Sequence, residues 1–305
     1  MSDSLQDLST TLTNNYLLVN VSLASWAARA SDKTLAAETA ASHGAIDSAV
    51  SVTKKLLAGA DEEHKAVLSA QNAVRSFVYD RTIPYSRSGE DAKAKRGPRL
   101  LPVVDSLEFM ADLKPLNAAF KAAMADFKAV YAARVAAAQS NLGSISADYP
   151  DPSELDGMFS VRVDFEPVPS MQNFTRMSIP AAVAEALGKR LAARQEESLR
   201  AGFADLRDRI AAELSRTVTQ LTKVTAGEKT KLYETLSTNV RTLVDLLKAT
   251  TPLVGDSPDL ARLTSRLEIL AATPVETYKT SVGAAQDSLA VARDALADLD
   301  AIEWF

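Results

Sequence analysis

The chain of 305 residues has no cysteine and only two histidines, His43 and His64. The first absence excludes disulfides, thiolate metal sites and a cysteine nucleophile, and it agrees with a reducing compartment. The second leaves little material for an imidazole zinc site or a histidine-centred triad. Glycine (11), proline (12) and aromatic residues (6 %) are all sparse. A chain short of helix breakers and rich in alanine reads as mainly helical. No run approaches the roughly 18 apolar residues of a membrane-spanning helix. The start, "MSDSLQDLSTTLTNNY", is polar and acidic and lacks the basic and apolar regions of a signal peptide. The expectation is a soluble cytoplasmic protein without membrane contact.

No glycine-rich phosphate loop, GxSxG elbow, HExxH or CxxC occurs. No catalytic residue, cofactor or metal ligand is therefore assigned, and the chain is expected not to be an enzyme. The formal net charge of −5 and the pI near 5.3 oppose wholesale binding to nucleic acid or anionic membrane, so any such contact must be local. A chain this long can bury roughly three quarters of its unfolded surface, enough for a core without staples.

Two segments alternate with period two. In "YLLVNVSLASW" (16–26), Leu17, Val19, Val21 and Leu23 fall on one side and Asn20, Ser22 and Ala24 on the other. In "MFSVRVDFEPVPSMQNFTRMSI" (158–179), Phe159, Val161, Val163 and Phe165 oppose Ser160, Arg162 and Asp164. Both read as half-buried strands, near 16–24 and 158–166, with a third near 172–178. Three such strands make a small antiparallel sheet with one apolar face against helices.

The remainder has helical spacing: 32–42, 45–58, 61–80, 103–142, 180–222, 229–250, 258–272 and 275–300. Pro115 either kinks the fourth of these or marks its start. If continuous, 180–222 is roughly 65 Å long. Its apolar stripe drifts between threes and fours without a strict heptad, which suits an elongated helical bundle or antiparallel coiled coil. The expected fold is a single, mainly α domain, with a subdivision into 1–179 (short helices plus sheet) and 180–305 (long-helix bundle). The terminal "IEWF" is apolar enough to dock.

Read in order, "SHGAIDSAVSVTKKLL" (42–57), "RSFVYDRTIPY" (75–85), "RLLPVVDSLEF" (99–109), "LGSISADYPDPSEL" (142–155) and "FSVRVDFEPVPSMQNF" (159–174) resemble the phage and bacterial family catalogued as domain of unknown function 3150. The resemblance covers roughly 16–180. It implies a phage or prophage origin, no assigned activity, and a place beside MoxR-like ATPases and von Willebrand factor A-like proteins, hence a role with other phage or host proteins. In that family the segment after the "TIPY" motif is shorter and less basic, so "SRSGEDAKAKRG" (86–97) is a departure.

That departure lies in the one cationic stretch. From Arg75 to Arg99 there are seven cations (Arg75, Arg81, Arg87, Lys93, Lys95, Arg96, Arg99) against three anions (Asp80, Glu90, Asp91). Clustered Lys and Arg attract a phosphate backbone, and Tyr79 or Tyr85 could stack on unpaired bases. The competing reading is a solvated connector between helices, and it is favoured. Arg81, Tyr85, Arg87, Lys93, Lys95, Arg96 and Arg99 are thus the candidate contact to nucleic acid or to an acidic partner. Asp61 and His64 in "DEEH" stand one helical turn apart but read as a helix start. His43 before Gly44 reads as a helix end, and "DYPDP" as a turn.

The functional expectation is a self-associating scaffold or adaptor, a homo-oligomer acting through protein–protein assembly. Phe159, Val161, Val163 and Phe165 are its candidate assembly contact, together with the helix 180–222. A single-stranded nucleic-acid-binding protein using 81–99 is the alternative. A pore former is disfavoured, because Arg162, Asp164 and Glu166 break the apolar character of the strand.

Overall fold

The computed structural model describes residues 2–85, 97–145, 147–170, 173–174, 176, 179–255, 257–302 and 304. The fold is mainly α with a small antiparallel sheet. Helix α1 (Ser2–Asn15) leads into β1 (Tyr16–Ala24), then β2 (Arg29–Ser31), α2 (Lys33–Ser42), β3 (Thr53–Lys55) and α3 (Glu62–Asp80). Strands β4 (Ile83–Pro84) and β5 (Arg99–Pro102) precede the long α4 (Ser106–Leu142), which carries Pro115 in its interior. A short α5 (Leu155–Met158) and β6 (Ser160–Pro167) follow. The rest is helix: α6 (Ala181–Thr225), α7 (Thr235–Val254), α8 (Pro258–Ala272), α9 (Val275–Thr280) and α10 (Val282–Ala301).

One sheet has the strand order β4-β5-β1-β6, and β2 and β3 form a separate two-stranded ribbon. Tyr16 faces Pro102 and Val19 faces Arg99 across the antiparallel β1–β5 pair. The alternation read in β6 appears as burial, with Val161, Val163 and Phe165 half-buried and Ser160, Arg162, Asp164 and Glu166 exposed.

The chain forms two compact units. The first comprises 1–20, 78–109 and 164–305, and the second 21–77 and 110–163. Their boundaries fall inside β1, α3, α4 and β6, so the division is interleaved along the sequence rather than placed at 179/180.

In the first unit, Leu199, Phe203, Leu206, Ile210 and Leu214 mark the buried stripe of α6 at threes and fours. They pack with Leu243 and Leu247 of α7, Leu263 and Leu267 of α8, and Leu299 of α10. Each such side chain taken from water contributes roughly 1.5–3 kcal/mol, which is what overcomes the entropy of ordering the bundle. Ile302 and Trp304 dock here too: Ile302 is buried, and the Trp304 ring centroid lies 6.0 Å from that of Phe203.

The second unit is built around Val67, Phe127, Tyr131, Leu155 and Phe159. His64 is buried among aromatic rings, with Nε2 2.8 Å from the carbonyl oxygen of Trp26. Gln71 of α3 donates to the carbonyls of Ala24 at 2.7 Å and Ser160 at 3.1 Å. One buried amide thereby satisfies carbonyls on β1 and β6, groups that would be costly to leave unpaired.

Four segments depart from the sequence reading. Residues 45–58 form a 3₁₀ turn (Asp47–Ala49) and strand β3 in place of a helix. The β-branched Val50, Val52 and Thr53 favour extended backbone, and β3 pairs Arg29 with Lys55 and Ser31 with Thr53. Within 172–178, the described Asn173 and Phe174 are helical and Arg176 is in a turn, so no described residue there is in a strand. Helix α7 begins at Thr235 rather than near 229. The last stretch is two helices, because Ser281 leaves helical geometry and its hydroxyl accepts from the Ala284 N–H at 3.2 Å.

Candidate functional site

The cationic stretch divides sharply. Arg87, Lys93, Lys95 and Arg96 lie outside the described residues. Arg99, which opens β5, is only 3 % exposed. Its Nε donates to Thr82 Oγ1 at 2.6 Å, and a second nitrogen donates to the Thr82 carbonyl at 2.8 Å and the Tyr79 carbonyl at 3.3 Å. Arg209 of α6 donates to the carbonyls of Thr82 at 3.2 Å and Asp80 at 3.0 Å. Both guanidinium groups also lie on Tyr79, 4.6 and 4.5 Å from the ring centroid.

The last carbonyls of a helix have no partner within it and carry its negative dipole end, so two arginines are an apt C-terminal cap for α3. Burial and the neighbouring Arg209 charge bring Arg99 down to about 10. Tyr85 is buried as well; its N–H donates to the Pro98 carbonyl at 2.9 Å, and burial pushes its phenol up to about 12. Tyr85 and Arg99 are therefore packing and capping residues and not a surface for nucleic acid, a correction to the sequence reading. Composition shows a cation's charge but not its depth. The leucine neighbours of Arg99 in "RLLP" were the signal for a buried strand.

Arg81 stands elsewhere, at an open groove of about 390 Å³. Strand β5 ends at Pro102, a 3₁₀ turn (Val103–Asp105) follows, and the Ser106 hydroxyl donates to the Val103 carbonyl at 2.7 Å as α4 begins. This turn brings Val104 and Asp105 to the groove, α4 adds Glu108, and α7 adds Asp245 and Lys248. Arg81 pairs with Glu108 at 3.4 Å, and Lys248 with Glu268 at 2.5 Å. Among the described residues, Asp105 and Asp245 make no ion pair within the groove. Burial holds the Asp105 carboxyl above the usual range, reinforced by Glu108 and Asp245 and opposed by Arg81. Beside these charges Val104 is 86 % and Leu107 78 % exposed, with Val103 also exposed.

A second polar cavity, of about 300 Å³, is lined by Tyr79, Arg209, Glu213, Arg216 and Asn239. Glu213 Oε2 pairs with Arg216 at 3.2 Å and accepts from Asn239 at 3.3 Å, while its buried Oε1 has no hydrogen-bond partner among the described residues. Burial raises the Glu213 pKa against the opposing effects of Arg216 and Asn239.

The candidate assembly residues are not brought together on a free surface. Phe159 is 4 % exposed and packs with Phe127 and His64 in the core of the second unit. The Phe165 ring meets Phe109 edge-on at 6.0 Å, and Val161 and Val163 are half-buried. These side chains offer no exposed apolar face for an assembly contact, because the amphipathic strand turns that face inward, while β6 itself stands at the edge of its sheet. Asp61 pairs with Lys65 at 2.9 Å at the start of α3, and His43 is the C-terminal cap of α2, both as read from sequence. In the "DYPDP" turn, Asp151 accepts from the Ser153 N–H at 2.9 Å.

Among the described residues, no group of three or more His, Asp or Glu could hold a metal ion, and no helix is long and apolar enough to cross a membrane. No family model matches the chain, and neither curated proteins nor solved structures yield a match.

Proposed function

We propose that the protein is a non-enzymatic scaffold or adaptor that self-associates, of phage origin as its motif resemblance implies. The observation that carries this reading is the apolar surface of the turn into α4, where Val103, Val104 and Leu107 stand exposed beside a charged groove. Other large exposed apolar residues, such as Ile46 in the second unit and Tyr233 and Ile269 in the first, are widely spaced in sequence, as is ordinary for a protein surface. Val104 and Leu107 are one helical turn apart and flanked by charge, the composition of a contact with an apolar centre and a polar rim. The contact thus moves from β6, where the sequence suggested it, to the start of α4.

Light scattering on a size-exclusion column tests this. The wild-type chain is expected to elute as a discrete multimer of its 32.6 kDa mass. Val104→Asp with Leu107→Asp is expected to return it to one chain without loss of helicity. A wild-type protein monomeric at every concentration would sink the reading. Binding of a single-stranded oligonucleotide that weakens steeply with salt would favour the nucleic-acid alternative instead.

A further inference from the structure

Resting on that self-association, the geometry points to a specific contact: the groove beside Val104 receives the exposed face at the start of α6 from a second copy. The occupant is argued from charge. The groove retains two carboxylates, Asp105 and Asp245, that form no ion pair among the described residues, while Arg81 pairs with Glu108 and Lys248 with Glu268. A chain segment that fills it must bring cations and an apolar side chain together.

The start of α6 has that pattern. Val183, Ala186, Arg190 and Arg194 fall at spacings of three and four on one exposed face. Val183 is 45 % exposed. Neighbouring charges on the same helix are already paired, Lys189 with Glu185 at 2.7 Å and Arg200 with Glu196 at 3.0 Å. Arg190 and Arg194 make no ion pair among the described residues. Two unpaired arginines one turn apart behind an exposed valine complement two unpaired aspartates beside an exposed valine and leucine. Such a helix-in-groove contact uses the apolar pair for affinity and the charges for register and choice of partner.

The groove and the α6 face are different surfaces of the first unit, so two copies either exchange them reciprocally in a closed dimer or join head-to-tail. Repetition closes a ring where the rotation permits and otherwise grows a filament. Like charges then break the contact, and opposite charges supplied by a second variant restore it.

The experiment uses the full chain and two variants, Asp105→Arg/Asp245→Arg and Arg190→Asp/Arg194→Asp. Circular dichroism and urea midpoints check that each is folded, and Asp245→Arg alone, at an exposed position, repeats the test without disturbing the half-buried Asp105. Each double variant is expected to weaken self-association at least about tenfold, the scale of a mispaired interfacial charge. An equimolar mixture of the two is expected to restore the multimer, because each supplies the surface that complements the other. A wild-type multimer indifferent to both variants would overturn this contact and leave the assembly reading standing. Variants that dissociate yet fail to reassociate when mixed would also overturn it. A monomeric wild type would overturn the contact and the assembly reading together.

Discussion

Arg99 and Arg209, on a strand and a helix 110 positions apart in the sequence, donate to the same carbonyl oxygen, that of Thr82, at 2.8 and 3.2 Å. They cap the end of α3 from two sides of the fold, and no helix-capping pattern near residue 80 announces it. The consequence is an end of α3 whose Val78 carbonyl is met locally by the Thr82 hydroxyl, while the Tyr79 and Asp80 carbonyls take their side-chain donors from β5 and α6.

Replacing Arg99 by alanine removes three donated hydrogen bonds from a buried site. Hydrogen bonds of charged groups contribute about 1.5–3 kcal/mol each in favourable cases, but desolvation of the guanidinium offsets part of this, so a loss of about 3 kcal/mol is expected. Arg99→Lys should recover less than half, since one ammonium cannot match the planar fork. Urea denaturation measures both. An Arg99→Ala variant within about 0.5 kcal/mol of wild type would mean that the cap is dispensable.

Gly202 gives a contest of two effects. In a helix interior, Gly→Ala normally stabilises by about 1 kcal/mol. Here a methyl group at residue 202 would stand 2.6 Å from the Pro84 carbonyl oxygen and 2.8 Å from Ile83 Cγ2, where β4 rests on α6. Backbone cannot yield as a flexible side chain does, and overpacking of this kind costs about 1–3 kcal/mol. The clash should win, so Gly202→Ala lowers the Tm. A raised Tm would show that β4 is free to retreat from the helix.

Gln71→Leu is nearly isosteric and leaves the carbonyls of Ala24 and Ser160 without their donor. A fully buried unsatisfied acceptor costs about 1–3 kcal/mol, but Ala24 and Ser160 are exposed positions, so a smaller total of about 1 kcal/mol is expected from thermal or urea unfolding. Gln71→Glu should be worse, because it places a second acceptor against two carbonyls. A leucine variant as stable as wild type would show that water reaches both oxygens.

The helical stripes were legible because a period of three to four is a property of the chain itself. Leu199, Phe203, Leu206, Ile210 and Leu214 had to face one way in any helix that contained them. The alternation of β6 was legible for the same reason, whereas in β1 it holds only over 21–24, because Tyr16, Leu18 and Val19 are all buried. Pairing was not: β5 is four residues long and is given meaning by β1 lying alongside, and β4 is two residues long and is given meaning by β5. Residues 45–58 show the limit most clearly, since their helical spacing yields to a partner strand at 29–31. The candidate site was half legible. "RLLPVVDSLEF" showed an apolar run, but only the fold exposes Val104 and Leu107 while burying Leu100 and Leu101. Asp245 and Lys248 reach the groove from α7, far along the chain, and no local pattern could place them there.

The buried Glu213 sets a pH dependence opposite to that of an ordinary paired carboxylate. Burial raises its pKa, so the folded chain keeps a proton that the unfolded chain releases. Its favourable contribution is present below the usual carboxylate range and is lost as pH rises through the higher folded value. Among the described residues, the ionised group at neutral pH is held in place by Arg216 and Asn239 on one oxygen, with Oε1 unsatisfied. Glu213→Gln removes the charge while keeping a similar shape and one acceptor. Its urea midpoint relative to wild type should therefore be higher at pH 7 than at pH 4, where both chains carry a neutral group. If the difference is instead larger at pH 4, or wild type is the more stable at pH 7, then the pairing with Arg216 outweighs desolvation and the buried carboxylate stabilises the α6–α7 contact.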